Sequence, residues 1–328
     1  MPPGAGEGFD GHDGASRACL ERTLSVYNRG MSSASSPARI LRVRLGRTEP
    51  LLLPGCADAL TARIADDLRF EALYATGSGI SNALLGQPDV GLATLTEIAE
   101  QVRRICDATD LPVVADLDTG HGNAINARRS VRLIEAAGAA GIQIEDQVFP
   151  KRCGHFSGKQ VISPDEMCAK LASVLDGRRD PDTIVIARTD ALAVEGVDGA
   201  VERANRYAEA GADLVFIEAP PTREIMAALP GLVRAPLVAN MVEGGLTPLA
   251  SVAELGDMGY RVVLFANTAL RAAMLAVQTT LRQLRADGGS ANVLHQLIAW
   301  DERQRLVGKP EIDELEARYA TGGDASNR

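Results

Sequence analysis

The sequence predicts an α/β fold, a (β/α)8 barrel of the TIM type with a C-terminal helical extension. Three observations carry that prediction. Eight short apolar runs recur between about residues 38 and 300, separated by segments with apolar residues at helical spacing. The runs are continuously apolar, which marks strands buried on both faces, as in a parallel sheet. Finally, Ala137-Gly-Ala-Ala-Gly-Ile-Gln-Ile-Glu145 echoes Ala210-Gly-Ala-Asp-Leu-Val-Phe-Ile-Glu218. Each copy reads as a helix end, a glycine stop, an apolar strand and an acid at the strand's C-terminal end. Eight such units in roughly 250 residues match a closed barrel. An open doubly wound sheet is the alternative, but its glycine-rich dinucleotide fingerprint is absent.

Taken in order, residues 1–36 are rich in Gly, Ser, Ala and charge and are expected to form a disordered extension, with His12 and Cys19 solvated in it. The first residues have neither a basic nor an apolar region of the signal-peptide kind. The catalytic barrel is expected over 37–300. Its strands are predicted at Leu51–Leu53, Ala72–Tyr74, Val113–Ala115, Gly141–Ile144, Ile184–Ala187, Leu214–Ile217, Leu237–Ala239 and Val262–Phe265. Helices are predicted at Thr96–Ala108, Ala124–Ala137, Asp165–Leu175, Gly199–Ala210 and Thr222–Ala228, and His295 is placed in an amphipathic helix as a structural residue. Residues 301–328 form a C-terminal helical segment and tail, in which Glu311–Tyr319 is a terminal helix for the barrel or a neighbouring subunit.

Composition narrows the function. The net charge of −9 argues against a nucleic-acid partner, because phosphate binding wants a basic surface. No apolar run approaches the roughly 18–20 residues of a membrane span. Five scattered cysteines without a CxxC pair suit reduced thiols, so a cytoplasmic location is expected. Of these, Cys56, Cys106 and Cys168 sit in apolar or helical settings and are read as structural.

In a parallel barrel the active site lies at the C-terminal ends of the strands. Those ends carry Tyr74-Ala-Thr76-Gly77-Ser78-Gly-Ile80, Asp116-Leu-Asp118-Thr-Gly-His-Gly122, Glu145-Asp146, Arg188-Thr-Asp190, Glu218 and Asn240-Met-Val-Glu243. The glycines and hydroxyls of the first suit a carboxylate or a phosphate. Acids after strands three, four and six would repel one another unless a cation sat among them. Oxygen donors without thiol or imidazole spacing favour Mg²⁺ or Mn²⁺. The competing reading has Asp118 capping the next helix and Glu145 paired with Arg188. Lys151-Arg152-Cys153-Gly154-His155 places a thiol beside three potential cations on a glycine-containing loop, where a thiolate can form and exchange protons. His121, between two glycines, reads equally well as a site residue or as a simple loop residue.

These residues resemble the isocitrate lyase and phosphoenolpyruvate mutase superfamily. The Lys151–His155 loop is similar to that family's lyase hallmark. Tyr74–Gly79, Gly86-Gln-Pro-Asp-Val-Gly91, Asp116–Gly122, Ile144-Glu-Asp-Gln147, Ala187-Arg-Thr-Asp190 and Asn240-Met-Val-Glu-Gly-Gly245 follow in the family's order and spacing. The resemblance implies that Asp116 binds Mg²⁺ directly, while Asp89, Asp118 and Glu145 hold the ion's waters. It implies that Thr76, Gly77 and Ser78 hold the 2-oxo acid end of a substrate and that Arg188 pairs with a carboxylate. Gly154, Glu218 and Asn240 join the substrate's surroundings. Cys153 becomes the acid–base group, tuned by Lys151, Arg152 and His155. The group that takes the substrate's hydroxyl proton is left between Tyr74 and a water on the metal. A homotetramer with an exchanged C-terminal helix is also implied.

The activity implied is Mg²⁺-dependent retro-aldol cleavage of a substituted 2-hydroxy di- or tricarboxylate, dimethylmalate- or methylisocitrate-like, to a 2-oxo acid and a carboxylic acid. Phe156-Ser-Gly after the hallmark, and Met-Val-Glu-Gly-Gly after strand seven, resemble the subgroup of 2,3-dimethylmalate lyases, oxaloacetate-cleaving hydrolases and carboxyphosphonoenolpyruvate phosphonomutases. The last two activities, oxaloacetate decarboxylation and a non-catalytic binding barrel are the alternatives. Leu246 stands where that subgroup usually carries Lys, which bears on a third anionic group in the substrate.

Overall fold

The computed structural model describes residues 35–152, 154 and 158–320. The expected disordered extension over 1–34, with His12 and Cys19, lies outside the described residues, as do Cys153, His155 and the tail from 321. Ser36, assigned from sequence to the extension, belongs to the fold. Its hydroxyl caps helix α1 (Pro37–Leu45) by accepting from the Arg39 amide.

Eight parallel strands close into a barrel in sequential order: β1 (Leu51–Cys56), β2 (Leu73–Ala75), β3 (Val113–Asp116), β4 (Gly141–Glu145), β5 (Ile184–Thr189), β6 (Leu214–Ile217), β7 (Leu237–Asn240) and β8 (Val262–Phe265). Every predicted strand is present. Several run one or two residues further at the C-terminal end, because the polar residues there keep the ladder hydrogen bonds. Around the strands lie α2 (Ala59–Asp67), α3 (Gly77–Ile80), α4 (Leu95–Asp107), α5 (Ala124–Ala136), α6 (Pro164–Gly177), α7 (Leu192–Glu209), α8 (Arg223–Leu232), α9 (Val252–Met258) and α10 (Thr268–Asp287). Two C-terminal helices follow, α11 (Trp300–Leu306) and α12 (Lys309–Tyr319). The predicted helix at Gly199 begins earlier in space: Leu192 starts a helical turn that breaks at Gly196, where φ is +78°. His295 is a correction. It sits on an exposed 3₁₀ turn (Ala291–Gln296), too short to bury an apolar stripe.

Alternation along the strands sorts the side chains into two shells. Leu51, Leu53, Tyr74, Val114, Ile184, Ile186, Leu214, Phe216, Val238, Val262 and Leu264 fill the barrel interior. Leu41 of α1 joins them and closes the N-terminal end. Their neighbours, such as Val113, Ala115, Ile142, Ile144, Val185 and Val215, face the surrounding helices. Extending the inward set by one step of two leads to Thr76, Asp116, Arg188, Glu218 and Asn240. The barrel's own packing parity therefore aims these side chains into its mouth. The outward set ends at Thr189 and Asp146; the Thr189 hydroxyl donates to Asp146, which also accepts from Tyr207 of α7.

Among the described residues, no helix is long and apolar enough to cross a membrane. Cys56 and Cys106 are buried and Cys168 half-buried, as expected for packing residues. Burial pushes the Cys56 thiol up to about 12. The seam of the barrel, where β1 meets β8, depends on Gly55: a Cβ there would lie 1.8 Å from the Ala266 carbonyl oxygen. Backbone cannot yield as a side chain would. Gly55→Ala should lower stability by about 3 kcal/mol, the upper end of ordinary overpacking costs. An unchanged urea midpoint would refute this account of the seam.

Candidate active site

A cavity of about 290 Å³ opens at the C-terminal end of the barrel. Tyr74, Thr76, Ser78, Asp89, Asp116, Lys151, Arg152, Gly154, Arg188, Glu218 and Asn240 line it. The structure thus brings most of the sequence-derived candidates to one space. Gly77, Asp118 and Glu145 stand just behind the wall. The Gly77 amide donates to Asp116 Oδ2 at 3.3 Å, and the Asp118 amide to Asp116 Oδ1 at 3.2 Å. Cys153 and His155 fall outside the described residues.

Local backbone explains the crowding. Asp118, His121 and Ala219 are three of four described non-glycine residues with positive φ, and all follow barrel strands. Such conformations are costly and persist where surrounding contacts hold them. Asp118 does not cap the next helix: Asn123 does so, in a reciprocal box with Asn126. The other half of the competing reading holds, since Glu145 pairs with Arg188 at 3.3 Å.

The electrostatics are those of an acid ring with buried cations threaded through it. The Lys151 ammonium lies 2.5 Å from Asp89 and 2.8 Å from Asp118. Burial opposes its charge, but Asp118, Glu145, Asp89 and Asp116 overcome this and hold its pKa well above the usual lysine range. Arg188 answers three acids: Asp190 at 2.9 Å, Glu218 at 3.0 Å and Glu145. Its guanidinium also stacks on Phe216, 5.1 Å from the ring centre. Among the described residues its Nη1 donates no hydrogen bond, although Nε and Nη2 do. Burial, with Asp118 nearby, raises the Asp116 carboxyl to about 6. Burial also lifts Glu145 well above the carboxylate range, against the pull of Arg188.

Tyr74 donates its phenol proton to Gln143 Oε1 at 2.9 Å, and Gln143 Nε2 donates to Asp116 Oδ1 at 3.3 Å. Complete burial drives the Tyr74 pKa well above 10. It is a neutral hydrogen-bonding group and a poor base. His121 is half-buried, and its Nε2 has no hydrogen-bond partner among the described residues. Burial lowers its pKa, so the ring stays neutral near pH 7.

A divalent cation suits this donor set. Four carboxylates crowd together, Asp116 is under-compensated, and the buried Glu145 Oε1 has no hydrogen-bond donor among the described residues. No three acid, Cys or His side chains form a ready-made cage among the described residues. A small hard ion that keeps most of its waters needs none.

Several contributors were missed. Asn267, two residues after β8, exchanges hydrogen bonds with Ser78 at 2.9 and 3.2 Å. The signal was available as the polar residue ending the eighth strand. Gln143 is a polar residue at an inward position of β4. Arg271 reaches the cavity from α10 and pairs with Glu243, and no spacing in the sequence announces that approach. Asp190 appeared only as part of a motif. It takes both Arg188 and Lys159, and these cations hold its carboxyl below the usual range despite burial.

The segment carrying Lys151–Gly154 has a zipped neck. The Val148 amide donates to the Gln160 carbonyl and the Ile162 amide to the Asp146 carbonyl, both at 2.8 Å, around an antiparallel bridge between Gln147 and Val161. The Gln147 side chain holds the Arg152 backbone at both its amide and carbonyl.

Comparison with known proteins agrees with this geometry. A family model described as phosphoenolpyruvate phosphomutase matches residues 41–285. The chain is 43% identical over 282 residues to 2,3-dimethylmalate lyase of Eubacterium barkeri, spanning 86% of this chain and 98% of that protein. The solved structure of oxaloacetate acetylhydrolase with the inhibitor 3,3-difluorooxalacetate matches with a TM-score of 0.82 at 34% identity, over 88% of this chain and 98% of that one. The structure of phosphonopyruvate hydrolase with oxalate and Mg²⁺ matches at 0.78 and 31%, over 87% and 99%. The chain therefore belongs to the phosphoenolpyruvate mutase and isocitrate lyase superfamily, and it is an enzyme of that superfamily's lyase group.

Proposed function

We propose that this enzyme cleaves the C2–C3 bond of a substituted 2-hydroxydicarboxylate, of the dimethylmalate kind, to a 2-oxo acid and a carboxylic acid. The observation that carries the reading is the pairing, at one cavity, of the under-compensated Asp116 cluster with Arg188, whose Nη1 donates to none of the described residues. The Thr76–Ser78 turn offers amides and hydroxyls to the 2-oxo acid end. Arg188 Nη1 takes the carboxylate of the departing half. Arg271 at the mouth is already answered by Glu243, and Leu246 adds no charge. Two carboxylates are thus better matched than three, which favours a dicarboxylate over a methylisocitrate-like tricarboxylate.

Asp116 would hold Mg²⁺ directly, with Asp89, Asp118 and Glu145 around its waters; Mn²⁺ suits the same oxygens. The ion would supply Lewis-acid polarisation of the C2 oxygen. The hydroxyl proton would pass to a water held among Asp118 and Glu145 as C2 becomes a carbonyl, and the C2–C3 electrons pass into the second carboxylate as an enediolate. Cys153 gives C3 its proton, and Lys151, Arg152 and His155 stabilise the resulting thiolate. Tyr74 stays protonated and orients Gln143 against Asp116. We also propose a homotetramer with exchanged C-terminal helices. It is supported by α10, which buries none of its residues and exposes Met274, Leu275, Val277 and Leu281. The barrel over 37–300 is proposed as the catalytic unit, in the cytoplasm.

The similarity to oxaloacetate acetylhydrolase favours a second reading, hydrolysis of oxaloacetate, which also breaks a carbon–carbon bond. Incubation with a panel of 2-hydroxy- and 2-oxodicarboxylates and Mg²⁺ separates the two. Pyruvate or a related 2-oxo acid released from 2,3-dimethylmalate is the expected product. Oxalate plus acetate from oxaloacetate alone would replace the proposal with the second reading. Phosphorus NMR of phosphonate substrates tests mutase chemistry in the same panel.

Cys153→Ser should lower kcat by about 10²–10⁴, the range for a lost acid–base group, with Mg²⁺ binding retained. Near-normal turnover removes Cys153 from the reaction. Asp116 fixes a pH dependence. Its folded pKa of about 6 lies above the ordinary aspartate value, so ionisation above that pH works against the fold until a cation offsets it. Below about pH 6 the ion must displace a proton. Mg²⁺ should therefore raise the melting temperature clearly at about pH 7.5 and little at about pH 5. Asp116→Asn should lose the rise and the EDTA-sensitive turnover. An equal rise at both pH values would exclude Asp116 as the ligand.

A further inference from the structure

Lys159 takes part in none of the steps above, yet it is among the most buried cations of the chain. Its side chain is 2% exposed, and its partner Asp190 is 0% exposed. The ammonium donates to two groups on different parts of the fold, the Gly154 carbonyl at 2.5 Å and Asp190 Oδ1 at 2.8 Å. A buried ammonium is costly unless charge and hydrogen bonds answer it, so a lysine placed here needs both partners.

Each partner leads to Arg188. Asp190 accepts from Arg188 Nε at 2.9 Å and Nη2 at 3.1 Å, and its own amide is tied to Asp146 Oδ1 at 3.0 Å. Asp146 is fixed from behind by Thr189, Tyr207 and Arg203. Gly154 lies directly on the guanidinium: a Cβ there would fall 2.3 Å from Arg188 Nη2 and 2.7 Å from the Glu218 side chain. Two surfaces with no backbone ladder between them are therefore held in register around one arginine. On one side is the chain at Gly154, beyond the zipped neck. On the other is the end of β5. The lysine follows Gly158, whose φ of +75° turns the chain just before it.

We propose that Lys159 is a positioning residue, whose bridge between the Gly154 carbonyl and Asp190 sets the separation of Gly154 from the Arg188 guanidinium and thereby aims Nη1 at the substrate carboxylate. Removing the ammonium leaves Asp190 to Arg188 alone and frees the Gly154 carbonyl. The guanidinium can then turn into Asp190, away from the cavity. The inference rests on the proposed role of Arg188 as the carboxylate-binding group.

The test uses the full chain and two variants, Lys159→Met and Lys159→Gln, the second guarding against misfolding of the first. Both should lose several degrees of melting temperature, because Asp190 is left with Arg188 alone, and both should stay folded at the assay temperature. With the substrate that the panel identifies, kcat should fall at least tenfold and KM should rise at least tenfold. A residue that only stabilises the fold would lower the melting temperature and leave KM of the folded enzyme unchanged. A second readout needs no substrate: the rate of the first tryptic cut after the exposed Arg152, followed by mass spectrometry, should rise at least tenfold in both variants. Wild-type KM together with a wild-type cutting rate in a folded variant overturns the proposal. A wild-type enzyme that releases product from nothing in the panel removes the lyase reading instead. The cutting rate then still decides whether Lys159 anchors Gly154.

Discussion

Unbalanced negative charge at the mouth of a low-dielectric barrel is the constraint from which the rest follows. Asp89, Asp116, Asp118, Glu145, Asp190 and Glu218 are gathered there against three buried cations, Lys151, Lys159 and Arg188. Desolvation alone makes such a set unstable as six carboxylates, and the structure answers in the ways open to it. Lysines arrive from a loop, an arginine is shared three ways, and Asp116 and Glu145 are pushed toward their protonated forms. The arrangement is poor for stability and well suited to a cationic ligand. That is the sense in which this part of the molecule is organised for chemistry.

The fold was legible because parity and period are local. Continuous apolar runs gave the strands, and inward alternation carried Asp116, Arg188 and Glu218 to the mouth without further information. The acids and the strand-two hydroxyls were legible for the same reason, as polar residues at strand ends, while Cys153 was singled out by its charged, glycine-containing loop and lies outside the described residues. What the sequence hid depends on pairing across loops. The Lys159–Asp190 bridge joins residues 31 apart in the chain, and no spacing rule announces it. Gln143 was hidden in a run read simply as apolar, although its neighbours on either side face outward and it faces in. The role of Tyr74 was legible only once its burial was known: the same phenol in solvent would remain a candidate base.

The barrel also divides labour between its two faces. Inward side chains end in the polar groups that line the cavity, while outward side chains at the same strand ends build the support. Asp146 and Thr189 belong to the second kind: Thr189 donates to Asp146, which accepts from Tyr207 and Arg203 of α7, with Arg203 held in turn by Glu195. Glu145 and Asp146 are adjacent and of the same type, yet one faces the cavity's acid cluster and the other is locked into the shell. A motif that treats Glu-Asp as an acid pair conceals this difference. The pleat makes it unavoidable, because successive residues of a strand cannot share a face.

Support of this kind matters most where the reacting geometry is assembled from a strand end and a loop. Strand ends are fixed by the ladder. The chain at Arg152 and Gly154 has no such frame and must be placed by side chains. Gln147 takes the Arg152 backbone from the neck, and Lys159 takes the Gly154 carbonyl from the far side. Each uses a long side chain to do what a ladder would do elsewhere. The charges at the mouth are thus kept in register by side-chain contacts that are separate from the backbone ladder that closes the barrel.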